Sequence, residues 1–235
     1  MIVGNGLLAN EFHKYKEKYE DYCIFASGVS YSTCISEVEF DRELNLLKEQ
    51  VSCAKKLVYF SSENVLSNSD SEYSQHKLNM ENFIKNNFHD YLIIRLPNVI
   101  GRGGHKKTLF NVLYEKLLSK DKITLYENAL RFIIDVSDVE FFTKIILEKN
   151  NVKICNMTFD KPVKVVKIFN TFEKVFNIKF NKSIGTEARR LHRINNNYFQ
   201  NLLSEVGYDY DEDIYLEKVI TKYYLDQDFR GQVNQ

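Results

Sequence analysis

Short apolar runs alternate with longer segments of helical periodicity along this chain, and that alternation commits it to strands and helices built around a mainly parallel sheet. The runs are Met1 to Val3, Tyr22 to Ala26, Leu57 to Phe60, Tyr91 to Arg95 and Lys153 to Met157. Between and after them the periodicity predicts helices over Leu7–Tyr19, Glu37–Lys55, Tyr73–Asn86, Lys107–Leu118, Val136–Glu148, Val163–Phe176, Asn195–Val206 and Ile214–Tyr224, with Gly207 where a helix end calls for positive φ. The outline is that of a doubly wound α/β fold. Only two prolines and nine glycines punctuate the 235 residues, and neither a Pro/Ser-rich linker nor a solenoid repeat divides them. With 44% apolar content the chain can bury one substantial core, so a single domain over residues 1–235 is expected.

Thirty-two basic side chains balance 32 acidic ones, so no global field favours nucleic acid or an anionic membrane as a partner. The four cysteines, Cys23, Cys34, Cys53 and Cys155, contain no C-x-x-C pair, and the five histidines form no ligand pattern with them; buried free thiols are expected and no metal. The N-terminus lacks a basic leader, and no stretch reaches the ~18 apolar residues of a membrane span, so a cytoplasmic protein is expected.

Three patterns carry chemistry. Gly4-Asn5-Gly6-Leu7-Leu8-Ala9 reads G-x-G-x-x-A directly after the first apolar run and at the start of a helix. Such a turn brings backbone N–H groups close to a dinucleotide pyrophosphate, although an ordinary strand-to-helix turn has the same look. The acidic ribose ligand expected roughly twenty residues on is missing, because that region is the apolar run ending in Ala26-Ser27-Gly28; NAD and NADP therefore cannot be told apart. Tyr73-Ser74-Gln75-His76-Lys77 is a Y-x-x-x-K array that sets phenol and ammonium on one helix face, where the ammonium favours ionisation of the phenol. The third pattern is Leu57-Val58-Tyr59-Phe60-Ser61-Ser62, an apolar strand ending in hydroxyls. Ligands of open α/β sheets lie beyond the carboxyl ends of the strands, so Ser62 is placed to bind the oxygen that Tyr73 protonates. The alternative is a serine-rich loop, with Ser67, Ser69 and Ser71 nearby.

In this order the patterns resemble the extended short-chain dehydrogenase/reductases, the NAD-dependent epimerase/dehydratase family that modifies nucleotide-sugars. The likeness continues through Phe25-Ala26-Ser27-Gly28, through Ile94-Arg95-Leu96-Pro97-Asn98-Val99-Ile100-Gly101, which is similar to the family's R-x-x-N-V-x-G segment, through Arg131 to Val139, and through a helical tail from Phe199 to Tyr224. It implies a Rossmann-like fold in which residues from about 155 to 235 form most of a small C-terminal substrate-binding part. It also implies NAD or NADP as cofactor, held by Gly4, Gly6, Leu7, Ala9, Ala26, Ser27, Gly28, Lys77, Pro97, Asn98 and Val99. Tyr73 would be the acid/base, Lys77 would hold the nicotinamide ribose and tune Tyr73, and Ser62 would orient the substrate oxygen. A nucleotide-sugar would meet Ser62, Asn98, Arg102, Lys106 and Arg131, in a pathway to surface polysaccharide precursors, and the family's habit of pairing through two long helices implies a homodimer. The chain departs from the family in having one helix between its first two strands, where two further strand-helix units normally hold the adenosine half of the cofactor, and in a short interval between Ser62 and Tyr73.

Of the remaining residues, Arg102, His105, Lys106 and Lys107 form a basic loop made pliable by Gly103-Gly104, suited to a diphosphate or simply solvated. The Arg189-Arg190-x-His192-Arg193 cluster reads as a surface charge run, His76 receives no catalytic role, and the aromatics of Tyr198 to Tyr224 read as packing. Keto-sugar reduction is preferred over epimerisation. The competing expectation is a cofactor-poor relative that binds a ligand or partner without redox chemistry.

Overall fold

The computed structural model describes residues 1–52, 55–66, 71–186 and 194–225. All five apolar runs become strands of one sheet: β1 (Ile2–Val3), β2 (Tyr22–Phe25), β3 (Lys56–Ser62), β4 (Tyr91–Leu96) and, later in the chain, β9 (Ile154–Asn156). They lie side by side in the order β1-β2-β3-β4-β9, every pair parallel. The register aligns their carboxyl ends, with Val3 opposite Phe25, Phe25 opposite Tyr59 and Ser62 opposite Leu96. Alternation along each strand supplies two buried faces.

Cys23, Phe25, Leu57, Tyr59 and Ile93 face α2 (Glu37–Lys48) and α3 (Glu72–Asn87), whose Leu47, Met80 and Ile84 complete that layer. Ile24, Val58, Phe60, Leu92 and Ile94 face the other way, toward Phe12 of α1 (Leu7–His13) and Val139, Phe142 and Ile146 of α5 (Val136–Lys149). This Rossmann-like arrangement is trimmed. β1 is an edge strand, and among the described residues nothing pairs with its outer side. Because β1, β2 and β3 step across the sheet in one direction while α1 and α2 lie on opposite faces, their two crossovers are of opposite hand, against the near-universal right-handed rule. Loss of two strand-helix units between α1 and β2 has this result: α1 keeps the face suited to a step away from β2, and the chain steps toward β2 instead.

The expected helix over Leu7–Tyr19 ends at His13 and continues as a 3-10 turn over Lys16–Tyr19, and that over Glu37–Lys55 ends at Lys48. The segment expected to be helical from Val163 opens with strand β10 (Val163–Lys164) before α6 (Val165–Phe176). Three two-stranded sheets were not expected as such: β5 (Asn98–Ile100) with β8 (Ile133–Asp135), β7 (Leu130–Arg131) with β10, and β6 (Ile123–Tyr126) with β11 (Lys182–Gly185). Helix α4 (Leu109–Ser119) lies between β5 and β6. The tail comprises α7 (Asn197–Glu205), α8 (Glu212–Ile220) and a π turn (Thr221–Leu225), with Gly207 at φ +64° between the helices. Phe199, Tyr215, Tyr223 and Tyr224 are buried in the same core as the sheet. Cys23, Cys34 and Cys155 are buried free thiols; Cys53, Ser67, Ser69 and the Arg189–Arg193 cluster lie outside the described residues. None of the described helices is long and apolar enough to cross a membrane.

Buried tyrosines give the fold an alkaline limit. Burial, reinforced by Glu140 beside Tyr19 and by Asp138 beside Tyr208 and Tyr215, holds these phenols well above their ordinary value of 10.0. A phenol that ionises only when unfolded contributes stability below pH ~10 and withdraws it as the pH rises further. Tyrosinate absorbance and loss of circular dichroism are therefore expected to rise together in one transition above pH ~10; gradual titration of all tyrosines with the helical signal intact would contradict this packing.

Candidate active site

The carboxyl ends of β1 to β4 bring together the Gly4–Gly6 turn, the Ala26–Gly28 strand end, Ser62 and the Pro97–Val99 segment. Gly4 sits at φ +123°, and a Cβ there would lie 2.5 Å from the Ala26 carbonyl oxygen. Its glycine is thus required by the approach of two strand ends, a reason distinct from the expected approach of a pyrophosphate. Gly6 is different: it heads α1 at an ordinary φ of −82°, and a Cβ there meets nothing within 4 Å. The space in front of Gly6 is open. Leu7 packs beside Gly101, where a Cβ would come within 2.5 Å of its side chain, and Ala9 is fully buried.

Ser71 starts α3 by accepting a hydrogen bond from the Ser74 N–H, and the helix then presents Tyr73 and Lys77 one turn apart toward the end of β3. Ser62, whose hydroxyl accepts the Asn64 N–H at 3.2 Å, stands near enough to Tyr73 to offset part of the effect of burial on the phenol. Tyr73 is buried, with Val29 and Cys34 packed on it and Tyr31 and Phe40 beyond them. Tyr31 in turn stacks on His105 at 4.3 Å, tying the segment after β2 to the basic loop after β5. The segment after β2, through Val29, Tyr31 and Cys34, therefore covers Tyr73.

Lys77 departs most from expectation. Its ammonium, 2% exposed, lies 5.9 Å from the centre of the Tyr73 ring but is bonded at 2.8 Å to Glu43 of α2, a residue that sequence reasoning passed over. Glu43 is fully buried, and four donors saturate it: Lys77 Nζ and the Tyr59 hydroxyl (2.6 Å) on Oε1, His76 Nε2 (2.9 Å) and the Val29 N–H (2.8 Å) on Oε2. A carboxylate only accepts, so His76 is the donor to it. Burial pushes the Glu43 carboxyl up, but the Lys77 charge and the bonds from His76, Lys77 and Tyr59 outweigh burial and hold it far below the ordinary value. The effect on Tyr73 reverses the expected tuning. Burial raises its pKa, Lys77 and Ser62 offset only part of that, and Glu43 and Cys34 add to the rise. His76, expected to stand apart, is buried, stacked on Phe40 at 4.3 Å and part of this charge centre. Gly28 closes over the pair: a Cβ would lie 2.6 Å from Lys77 Nζ and 2.9 Å from Glu43 Oε1.

A second buried carboxylate, Glu81, one turn beyond Lys77, takes a two-pronged bond from Arg95 (2.8 and 2.6 Å) and another from Ser61 (2.7 Å), fixing β3 and β4 beside Ser62. Glu43 and Glu81 both had one legible sign: each falls on the apolar stripe of its helix, Glu43 with Phe40, Leu44 and Leu47, and Glu81 with Lys77, Met80 and Ile84.

The remaining predicted residues are less engaged with this centre. Ser27 accepts hydrogen bonds from Arg42 on its carbonyl and hydroxyl oxygens. Pro97 is buried, Val99 pairs with Ile134, and Asn98 donates its side-chain amide to the Phe132 carbonyl at 2.9 Å, so it fastens β5 to β8. Arg102 and Lys106 are exposed, and the Arg131 guanidinium caps the Leu130 carbonyl. A polar cavity of about 420 Å³ at the opposite end of the sheet includes Tyr22 and Lys56 in its lining, and Lys56 there pairs with Asp90.

The fold is similar to that of solved nucleotide-sugar epimerases, dehydratases and reductases. The sequence itself matches no protein-family model and no curated protein. Among solved structures, a dTDP-4-dehydrorhamnose reductase from Clostridium acetobutylicum superposes with a TM-score of 0.73 at 16% identity, over 94% of this chain and 98% of that one. The UDP-glucuronic acid 4-epimerase of Bacillus cereus, solved with UDP-glucuronic acid and NAD, gives 0.68 at 14% identity over 91% of this chain and 76% of the other. A dTDP-glucose 4,6-dehydratase from Bacillus anthracis in complex with NAD gives 0.66 at 18% identity, over 96% and 80%.

Proposed function

We propose that the protein is an NAD(P)-dependent oxidoreductase acting on a nucleotide-linked sugar, and that its reaction is reduction of a keto-sugar. The observation that carries this reading is Tyr73 beside Ser62 with Lys77 one turn along α3, at the carboxyl ends of the strands and in the same row as the open turn at Gly6. When bound, a reduced nicotinamide dinucleotide supplies the hydride for the carbonyl carbon. The protein's own residues supply the rest. Ser62 orients the carbonyl oxygen and Tyr73 gives it a proton, while the Gly6 turn, with Leu7, Ala9, Ala26 to Gly28, Pro97 and Val99, forms the wall for the dinucleotide. Arg102 and Lys106, both exposed on the loop after β5, are the groups for a substrate diphosphate, with Asn98, Arg131 and the part from about residue 155 onward shaping the sugar's place. The chain spans 98% of the reductase but 76% of the epimerase and 80% of the dehydratase, which favours reduction. Surface polysaccharide precursors are the products this chemistry serves, and a homodimer paired through two long helices is the form that the family resemblance implies.

Calorimetric titration with NADH, NADPH and NAD+ tests the reading, with Gly6→Arg as the control. A Cβ at that position meets no atom within 4 Å and φ is ordinary, so the substitution is expected to leave the fold intact while its side chain occupies the space in front of the turn. Saturable binding that Gly6→Arg removes is expected, and whichever dinucleotide binds names the cofactor. A second reading, a ligand- or partner-binding module without redox activity, is favoured by the covered Tyr73 ring and by the engagement of Lys77 with Glu43. Folded protein that takes up none of the three dinucleotides would establish that reading and remove the first.

A further inference from the structure

Glu43 has no place in the reaction as described, yet it is the carboxylate that pairs with the ammonium beside Tyr73. It is 0% exposed and Lys77 2%, and they meet at 2.8 Å, so the carboxylate offsets part of the ammonium's charge at the site. The groups facing Tyr73 and this pair come from every element around them: Glu43 from α2, Lys77 and His76 from α3, Tyr59 and Ser62 from β3, and Cys34 from the segment after β2. An ammonium left alone beside a phenol promotes phenolate, the form that takes a proton from an alcohol; an ammonium cancelled by a carboxylate does not.

We infer that Glu43 is a positioning residue for the proposed reduction: by pairing with Lys77 inside the protein it keeps Tyr73 in its proton-bearing form and dedicates the site to delivering a proton. The inference rests on the reductase reading and adds its direction. The carbonyl carbon gains a hydride from the reduced nicotinamide dinucleotide, the C=O π bond becomes a C–O single bond, and the oxygen takes the Tyr73 proton. The phenolate left behind is reprotonated from solvent. The rise in the Tyr73 pKa, to which Glu43 contributes after burial, agrees with this arrangement. The same carboxylate holds the Val29 N–H, so the segment covering Tyr73 and the charge of Lys77 are fastened at one point.

The test reads Tyr73 directly. Protein labelled with 13C at the tyrosine ζ carbon is titrated by NMR toward alkaline pH, with the Tyr73 resonance assigned by its loss in Tyr73→Phe. In the wild type this resonance is expected to keep its protonated position up to the alkaline unfolding transition. In Glu43→Gln it moves toward the phenolate position while circular dichroism is still native, the ionised fraction at a given pH rising by about tenfold or more; Glu43→Asp, which retains the charge, returns it toward the wild type. A folded Glu43→Gln protein whose Tyr73 tracks the wild type overturns the inference. Should Glu43→Gln not fold, Lys77→Met and Glu43→Gln/Lys77→Met make the same comparison, and Tyr73 must ionise at lower pH in the double variant; identical curves overturn the inference. The dinucleotide titration stands apart from this readout. A Tyr73 response without dinucleotide uptake defeats the reductase reading and leaves Glu43 as the control of Tyr73, whereas uptake without the response defeats Glu43 alone.

Discussion

Glu43→Ala is expected to lower the unfolding free energy by about 3–5 kcal/mol at neutral pH, read as a shift in the urea midpoint at constant slope. The magnitude comes from what the substitution leaves behind. Lys77 would remain 2% exposed with its ammonium supported by the Tyr59 hydroxyl at 3.3 Å, while Tyr59, His76 and the Val29 N–H lose the acceptor they share. Breaking a buried ion pair from one side leaves an uncompensated charge, which costs far more than the intact pair contributes. The pH dependence has a definite sign. The folded state holds Glu43 well below the ordinary 4.5, so its contribution is complete above that value and is lost as the pH falls below it. The gap between wild type and Glu43→Ala should therefore be widest at neutral pH and shrink in acid. A loss under about 1 kcal/mol would mean that water reaches Lys77, contrary to the packing described.

Tyr73→Phe is expected to reduce turnover of a nucleoside diphosphate-linked keto-sugar by about 10²–10⁴-fold, the range for a positioned general acid, with dinucleotide affinity unchanged. The ring remains, so its packing against Val29 and Cys34 survives, and only the phenol hydroxyl is removed. Stability should change by no more than about 1 kcal/mol, the worth of a single polar contact. Because Tyr73 ionises above its ordinary 10.0, the wild-type rate of reduction should show no loss from phenol ionisation below that pH. Steady-state assays following nicotinamide absorbance across pH separate the two effects. A Phe variant that turns over at the wild-type rate would remove Tyr73 from the chemistry.

Much of the architecture was legible because it rests on local pattern. Five apolar runs became the five strands of the parallel sheet, and the periodic segments between them became its helices. The turn at Gly4 to Ala9, the strand ending at Ser62 and the helix bearing Tyr73 and Lys77 stand in consecutive local signals, and the absence of two strand-helix units was visible as chain length between the first two strands. The short strand pairs β5·β8, β7·β10 and β6·β11 were not read as such. Each is two to four residues long and exists through a partner more than thirty residues away.

What the sequence determined by itself is the layered fold and its trimmed edge, since each follows from spacing within a strand, a turn or one helix. The surroundings of Ser62, Tyr73 and Lys77 were decided only by tertiary structure. Glu43 lies on the stripe of α2 with Phe40, Leu44 and Leu47, and Lys77 lies 34 residues further on. Their meeting depends on α2 and α3 packing side by side on one face of the sheet. Burial then strengthens a contact worth little in water, because the strength of a charge pair depends on the medium around it, and a sequence does not carry the medium.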